Sequence, residues 1–74
     1  MTASSRAELL VALKAKAHKY LEKGALRSAW SAARDEIVAY PALHDLLDAV
    51  NNAAADLVKA DNKAGFTTWL DGLA

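Results

Sequence analysis

The metal-binding and acid–base chemistry open to this sequence depends on two histidines and nine carboxylates, because it contains no cysteine. His18 and His44 fall on different predicted helices, and neither has a second histidine four residues further on. Asp48 follows His44 at that distance and could add a ligand, but a zinc site needs three or four ligands. We therefore interpret this pair as the polar flank of a helix and predict no metal site.

None of the common catalytic or nucleotide-binding signatures is present in the sequence. The run from Asp61 to Gly72 comes closest to a calcium loop. Lys63 stands where aspartate or asparagine is needed, however, and Gly72 stands where a bidentate glutamate is required. A glycine-rich phosphate loop, a G-x-S-x-G elbow and an H-E-x-x-H pair do not occur. We therefore expect a protein that is not an enzyme and that binds no metal or cofactor.

Charge is divided unevenly along the chain, although the formal net charge is zero. Residues 1–34 carry seven lysines and arginines against two acids, whereas residues 35–74 carry two lysines against seven acids. Two interpretations follow. The halves can fold against each other and neutralise, or a basic face can remain for an acidic partner.

The cations of the first half could form a stripe across the first two predicted helices. The members of this stripe are Arg6, Lys14, Lys16, Lys19, Lys23, Arg27 and Arg34. Such a stripe is typical of nucleic-acid binding, but the sequence pI of about 6.7 is near neutral and no helix-turn-helix pattern is present. We therefore expect Lys16, Lys19 and Arg27 to contact a protein partner, with nucleic acid as the alternative.

Helices must position these side chains, since alanine, the best helix former, fills 18 positions beside one proline and three glycines. Ser5 and Glu8 have the spacing of a capping box, which predicts a first helix over residues 5–23. Gly24 suits the left-handed residue that ends it. Apolar residues at alternating spacings of three and four predict a second helix over residues 25–39.

The remaining elements follow from Pro41, which disfavours helical geometry just before it and suits the first turn of a helix. A third helix is predicted over residues 41–60, and a short fourth helix over residues 66–72. The fold class is therefore all-α, a single domain over residues 1–74 built as a small bundle of three main helices plus a short C-terminal helix. Its inner face is predicted to contain Leu10, Leu13, Ala17, Tyr20, Leu21, Leu26, Trp30, Ala33, Ile37, Tyr40, Leu43, Leu46, Leu47, Val50, Ala54, Leu57 and Val58.

Residues 13–41 resemble a single tetratricopeptide unit. The resemblance rests on Leu13, Ala17, Tyr20, Gly24, Ala29 and Pro41, which stand at that repeat's consensus spacings. Lys16 and Glu36 depart from the pattern, which expects an apolar residue and a small residue there, and no second unit follows. The resemblance implies a protein- or peptide-binding scaffold rather than an enzyme.

Four large apolar residues are concentrated near the C-terminus: Phe66, Trp69, Leu70 and Leu73. Three helices can already bury their stripes against one another, so these side chains either close their own bundle or bind a second copy or a partner. Aromatic anchors dominate interfaces, and we expect these four residues to be partner-binding.

The predicted function is a small non-catalytic protein-interaction module. Adaptors, inhibitors and chaperone-like factors of this size, including those encoded by phages, fit it, and a homodimer is one arrangement. A short chain buries only about 60% of its unfolded surface, so association would add to its core. The apolar run at residues 9–13 is shorter than the roughly 20 residues of a membrane span. Together with the lack of cysteine, this predicts a cytoplasmic protein with no membrane partner.

Overall fold

The computed structural model describes residues 5–74, and these residues form an all-α fold with no strand. Helix α1 spans Arg6–Glu22 and helix α2 spans Leu26–Ala39. A third helical segment covers residues 41–59, and a terminal helix spans Lys63–Asp71. The predicted fold class is confirmed; residues 1–4 of the predicted domain lie outside the described residues.

Helix α1 begins and ends with local hydrogen bonds that the sequence predicts. The Ser5 hydroxyl accepts the Glu8 backbone N–H at 3.2 Å, and it donates to the Glu8 carboxylate at 3.3 Å. Gly24 adopts a φ of +73°, and the Ala25 N–H donates to the Tyr20 carbonyl at 2.9 Å. This closure is a Schellman motif, and it lets α2 start immediately and run back along α1.

A second Schellman motif joins the third segment to the terminal helix. Asp61 takes the left-handed position with a φ of +54°, and the Asn62 N–H donates to the Leu57 carbonyl at 2.8 Å. The Asn62 side chain then caps the terminal helix by accepting the Gly65 N–H at 2.9 Å. Because of this cap, the helix begins at Lys63 rather than at the predicted residue 66.

The third segment is helical but not the regular α-helix predicted over residues 41–60. It starts as a 3₁₀ helix at Pro41–Leu46, has short α-helical stretches at Leu47–Ala49 and Ala55–Lys59, and widens to a π-helix at Val50–Ala54 between them. A wider turn rotates the side chains that follow it. The apolar stripe predicted at α-helical spacing nevertheless faces the core, because its members are either buried there or packed against it.

Trp30 packs against this wide turn. Its indole Nε1 donates a hydrogen bond to the Val50 carbonyl at 2.7 Å. Trp30 is partly buried and packs against the core, and this hydrogen bond ties it to the third segment. The prediction that Tyr20 belongs to the core is wrong, because its side chain is exposed. Ala17 of α1 and Ala29 of α2 are fully buried.

The core draws side chains from all four segments. Its buried members are Leu9, Leu10, Leu13, Ala17, Leu21, Leu26, Ala29, Ala33, Ile37, Leu43, Val50, Ala54, Phe66 and Leu70. Tyr20 and Tyr40 lie outside it, 39% and 41% exposed. Leu46, Leu47, Leu57 and Val58 are partly buried and pack against it.

Candidate functional site: the basic groove

An open groove lies between the outer faces of α1 and α2, and we call it the basic groove. Three lysines line its α1 wall, whereas small residues and two acids line its α2 wall; the volume is about 650 Å³. The lining residues are Lys16, Lys19, Tyr20 and Lys23 from α1 with Ser28, Ser31, Ala32, Asp35 and Glu36 from α2. The groove stays open because the α2 wall consists largely of short side chains.

Lys16 forms an ion pair with an acid of the same chain. Its Nζ donates a hydrogen bond to the Glu36 carboxylate across the groove. This hydrogen bond, reinforced by the charge of Glu36, raises the pKa of Lys16 above its ordinary value. The two residues that depart from the tetratricopeptide pattern therefore pair with each other, which satisfies a charge on α1 and a charge on α2 at once.

Lys19 and Lys23 differ from Lys16 because no carboxylate lies within 4 Å of either ammonium group in residues 5–74. Both side chains are exposed. The helix repeat places them with Lys16 on one flank of α1, as the spacing of three and four residues requires. The basic groove therefore presents two lysines that no described acid neutralises.

Arg27 lies beside the basic groove rather than in it. It lines an adjoining depression of about 330 Å³ with Trp30, Ser31, Ala55, Val58 and Lys59, which we call the Trp30 depression. Neither Arg27 nor Lys59 has a carboxylate within 4 Å among the described residues. Ser31 lines both hollows, so the two form one continuous surface.

The polar side chains on the other flank of α1 contact the acidic half of the chain. Arg6 pairs with Asp45 at 2.7 Å, and its hydrogen bond lowers the pKa of that carboxyl below the ordinary value. Lys14 Nζ donates to the Leu73 carbonyl at 2.7 Å, and His18 Nε2 lies 2.8 Å from Asp71 Oδ1. These contacts dock the chain end and the third segment onto α1.

Both interpretations of the charge asymmetry thus apply, each to one flank of α1. One flank places Arg6 against Asp45 and His18 against Asp71, whereas on the other flank Lys19 and Lys23 have no carboxylate within 4 Å among residues 5–74. The sequence could not distinguish the two flanks, because a lysine that donates to a backbone carbonyl and a lysine that does not have the same local sequence pattern.

Two of the four C-terminal residues predicted to bind a partner lie in the core of the chain. Phe66 and Leu70 are fully buried, at 0% exposure. Trp69 and Leu73 are partly buried against the same core, with the rings of Trp69 and Phe66 5.6 Å apart. Phe66 and Leu70 therefore close their own bundle, which is one of the two arrangements expected for these side chains. Partner binding by Trp69 and Leu73 stays a prediction.

The sequence did not predict the Trp30 depression. The predicted helical pattern put Trp30 in the core and Lys59 on a solvated face, far apart in sequence. Only the path of the third segment, with its π-helix and the bond from Trp30 to Val50, brings Lys59 beside Arg27.

Two kinds of site do not occur in the described part of the chain. Residues 5–74 contain no group of three or more histidine and acidic side chains close enough to hold a metal ion. Of the helices described, none is both long and apolar enough to cross a membrane.

The chain matches no family model, no curated protein and no solved structure. The resemblance of residues 13–41 to a tetratricopeptide unit stays a prediction.

Proposed function

We propose that this chain is a small non-catalytic interaction module that binds an acidic segment of a partner protein along the basic groove. The observation that supports this most strongly is the division of the polar side chains of α1 between two flanks. Lys14 and His18 on one flank are used within the chain, whereas Lys19 and Lys23 on the other have no acid within 4 Å among residues 5–74.

An acidic segment suits this groove for electrostatic reasons. Carboxylates that approach Lys19 and Lys23 meet positive charge that the fold leaves uncompensated, which accelerates encounter and selects partners by charge. Each exposed pair adds only about 0.2–1 kcal/mol, so the lysines supply steering and orientation rather than most of the affinity. The short side chains Ser28 and Ala32 let a partner backbone approach α2 closely.

A protein partner is favoured over nucleic acid by the composition of the α2 wall. Asp35 and Glu36 line the same groove as the lysines, and their carboxylates would repel a phosphate backbone. A protein segment can place donors against these carboxylates and acids against Lys19 and Lys23. Nucleic acid is the second candidate because Arg27 and Lys59 extend the line of cations beyond the groove.

The test uses single charge reversals and the proteins of the native host. Lys19→Glu and Lys23→Glu change the groove, whereas Lys63→Glu changes the net charge equally at an exposed site that lines none of the hollows described above. All three variants should keep the helical far-UV circular dichroism of the parent. Each immobilised variant is incubated with nuclease-treated extract, and retained proteins are quantified by mass spectrometry.

The proposal expects one or more proteins that the parent and Lys63→Glu retain and that both groove variants lose, with retention falling as salt rises. Equal retention by all variants would overturn the basic groove as the interface. Loss of every retained protein after nuclease treatment, with nucleic acid bound in untreated extract, would replace the proposal by the second candidate.

A further inference from the structure

The Trp30 depression combines apolar groups with two cations. Trp30, Ala55 and Val58 line it together with Arg27 and Lys59. Asp61 lines a neighbouring hollow with both cations but lies within 4 Å of neither ammonium nor guanidinium group. A ligand that fits this arrangement carries an apolar group with negative charge beside it.

The Trp30 ring is held in place before any ligand arrives. Its indole Nε1 donates to the Val50 carbonyl at 2.7 Å, and the Arg34 guanidinium lies 5.0 Å from the ring centroid. These two contacts fix the orientation of the ring from two directions. A fixed ring loses no side-chain freedom on binding, so apolar contact with it contributes more of its free energy to affinity.

We propose that the Trp30 depression is the anchor pocket of the interface, which accepts one large apolar side chain from the acidic segment that lies in the basic groove. This inference rests on the proposed function. Ser31 lines both hollows, so a segment that follows the outer face of α2 reaches the pocket without leaving the groove. Arg27 and Lys59 then meet carboxylates that flank the apolar residue.

The apolar anchor also supplies binding affinity, which the exposed lysines contribute only weakly. Exposed ion pairs give little net affinity, whereas a large side chain moved from water into an apolar pocket contributes substantially. Interfaces concentrate binding energy in such anchors and leave charge to the rim. In this interface the Trp30 depression takes the apolar anchor, and the basic groove takes the charged groups.

The experiment uses Trp30 fluorescence in a Trp69→Phe variant, in which Trp30 is the single tryptophan. The probes are two synthetic glutamate- and alanine-rich peptides of equal charge, one with a central leucine and one with alanine there. The leucine peptide should bind at least about tenfold tighter and shift the emission of Trp30 to shorter wavelength. Calorimetry on the parent chain repeats the comparison independently of the Trp69 substitution.

Matched variants locate the pocket. Ala55→Leu fills the depression and should abolish the advantage of the leucine peptide, whereas Ala53→Leu adds the same side chain at an exposed neighbouring position and should keep it. Equal affinity of the two peptides, with both weakened by Lys19→Glu, would overturn the anchor pocket but leave the basic groove intact. No binding by either peptide would overturn both proposals.

Discussion

Gly65→Ala is a sharp test of the packing of the terminal helix, because helix propensity and packing predict opposite signs. Alanine is about 1 kcal/mol better than glycine inside a helix, so propensity alone predicts stabilisation. A Cβ atom at this position would lie 2.6 Å from Asn62 Nδ2 and 2.8 Å from Leu57 Cδ2. Both neighbours must move, although Asn62 caps this helix and Leu57 packs against the core.

The magnitude follows from these two displacements. Loss of the Asn62 cap costs about 1 kcal/mol, and forcing Leu57 aside in a packed region costs about 1–3 kcal/mol. Subtracting the gain in propensity leaves a net destabilisation of about 1–3 kcal/mol for Gly65→Ala. Urea unfolding followed by far-UV circular dichroism resolves a change of this size.

Two further variants separate the causes. Ala64→Gly changes propensity at an exposed position of the same helix and should destabilise by about 1 kcal/mol. In an Asn62→Ala background, Gly65→Ala should cost less than in the parent, because one of the two displaced groups is gone. Stabilisation of the parent by Gly65→Ala would show that the terminal helix does not approach Leu57 this closely.

Three other substitutions test the turn, the wide helical turn and an ion pair. Asp61→Gly should stabilise by about 0.5–1 kcal/mol in urea unfolding, because glycine adopts the left-handed backbone without strain; destabilisation would argue against the +54° φ. Trp30→Phe should destabilise by about 1–2 kcal/mol, since the Val50 carbonyl loses its indole donor, and an unchanged urea midpoint would contradict that hydrogen bond. Asp45→Asn should remove acid-sensitive stability. The lowered pKa of Asp45 makes its contribution complete above the ordinary aspartate pKa and lost as pH falls through the folded-state value. The stability difference from the parent should therefore close in acid, and a difference that persists at the lowest pH would refute the pair with Arg6.

The parts of the fold that were predictable from sequence are those set by local chemistry. A serine that caps its own helix and a glycine in a left-handed turn act within a few residues, so Ser5 and Gly24 mark the ends of α1. The turn at Asp61 has the same geometry, with a φ of +54°. The cap that Asn62 makes four residues ahead of Phe66 was missed, so the predicted start of the helix was late.

The parts that could not be predicted depend on contacts between distant segments. Trp30 has the spacing of a core residue in α2, and only the π-helix opposite it explains why its indole turns toward the Val50 carbonyl. Phe66 and Leu70 are apolar enough for either a core or an interface, and the choice depends on how much space the third segment fills. The spacing of apolar residues indicates which side chains share a helix face, but it does not indicate what packs against that face.

The candidate site also combines features that local sequence predicts with features that depend on distant contacts. Lys16 and Lys19 share a flank of α1 by helical spacing alone, so their common location was predictable. The pairing of Lys16 with Glu36 and the position of Arg27 beside Lys59 depend on the packing of other segments against α2.

The measurement that tests the interaction module most directly is site-specific photocrosslinking in the native host. A benzophenone amino acid placed at Ser28 lies in the basic groove, whereas the same group at Asn51 lies exposed on the third segment. We predict a protein adduct at Ser28 that is absent at Asn51. The adduct should map to a segment rich in aspartate and glutamate, and it should disappear when Lys19→Glu is added. Adducts of equal yield at both positions, or an adduct at Ser28 that survives Lys19→Glu, would contradict it.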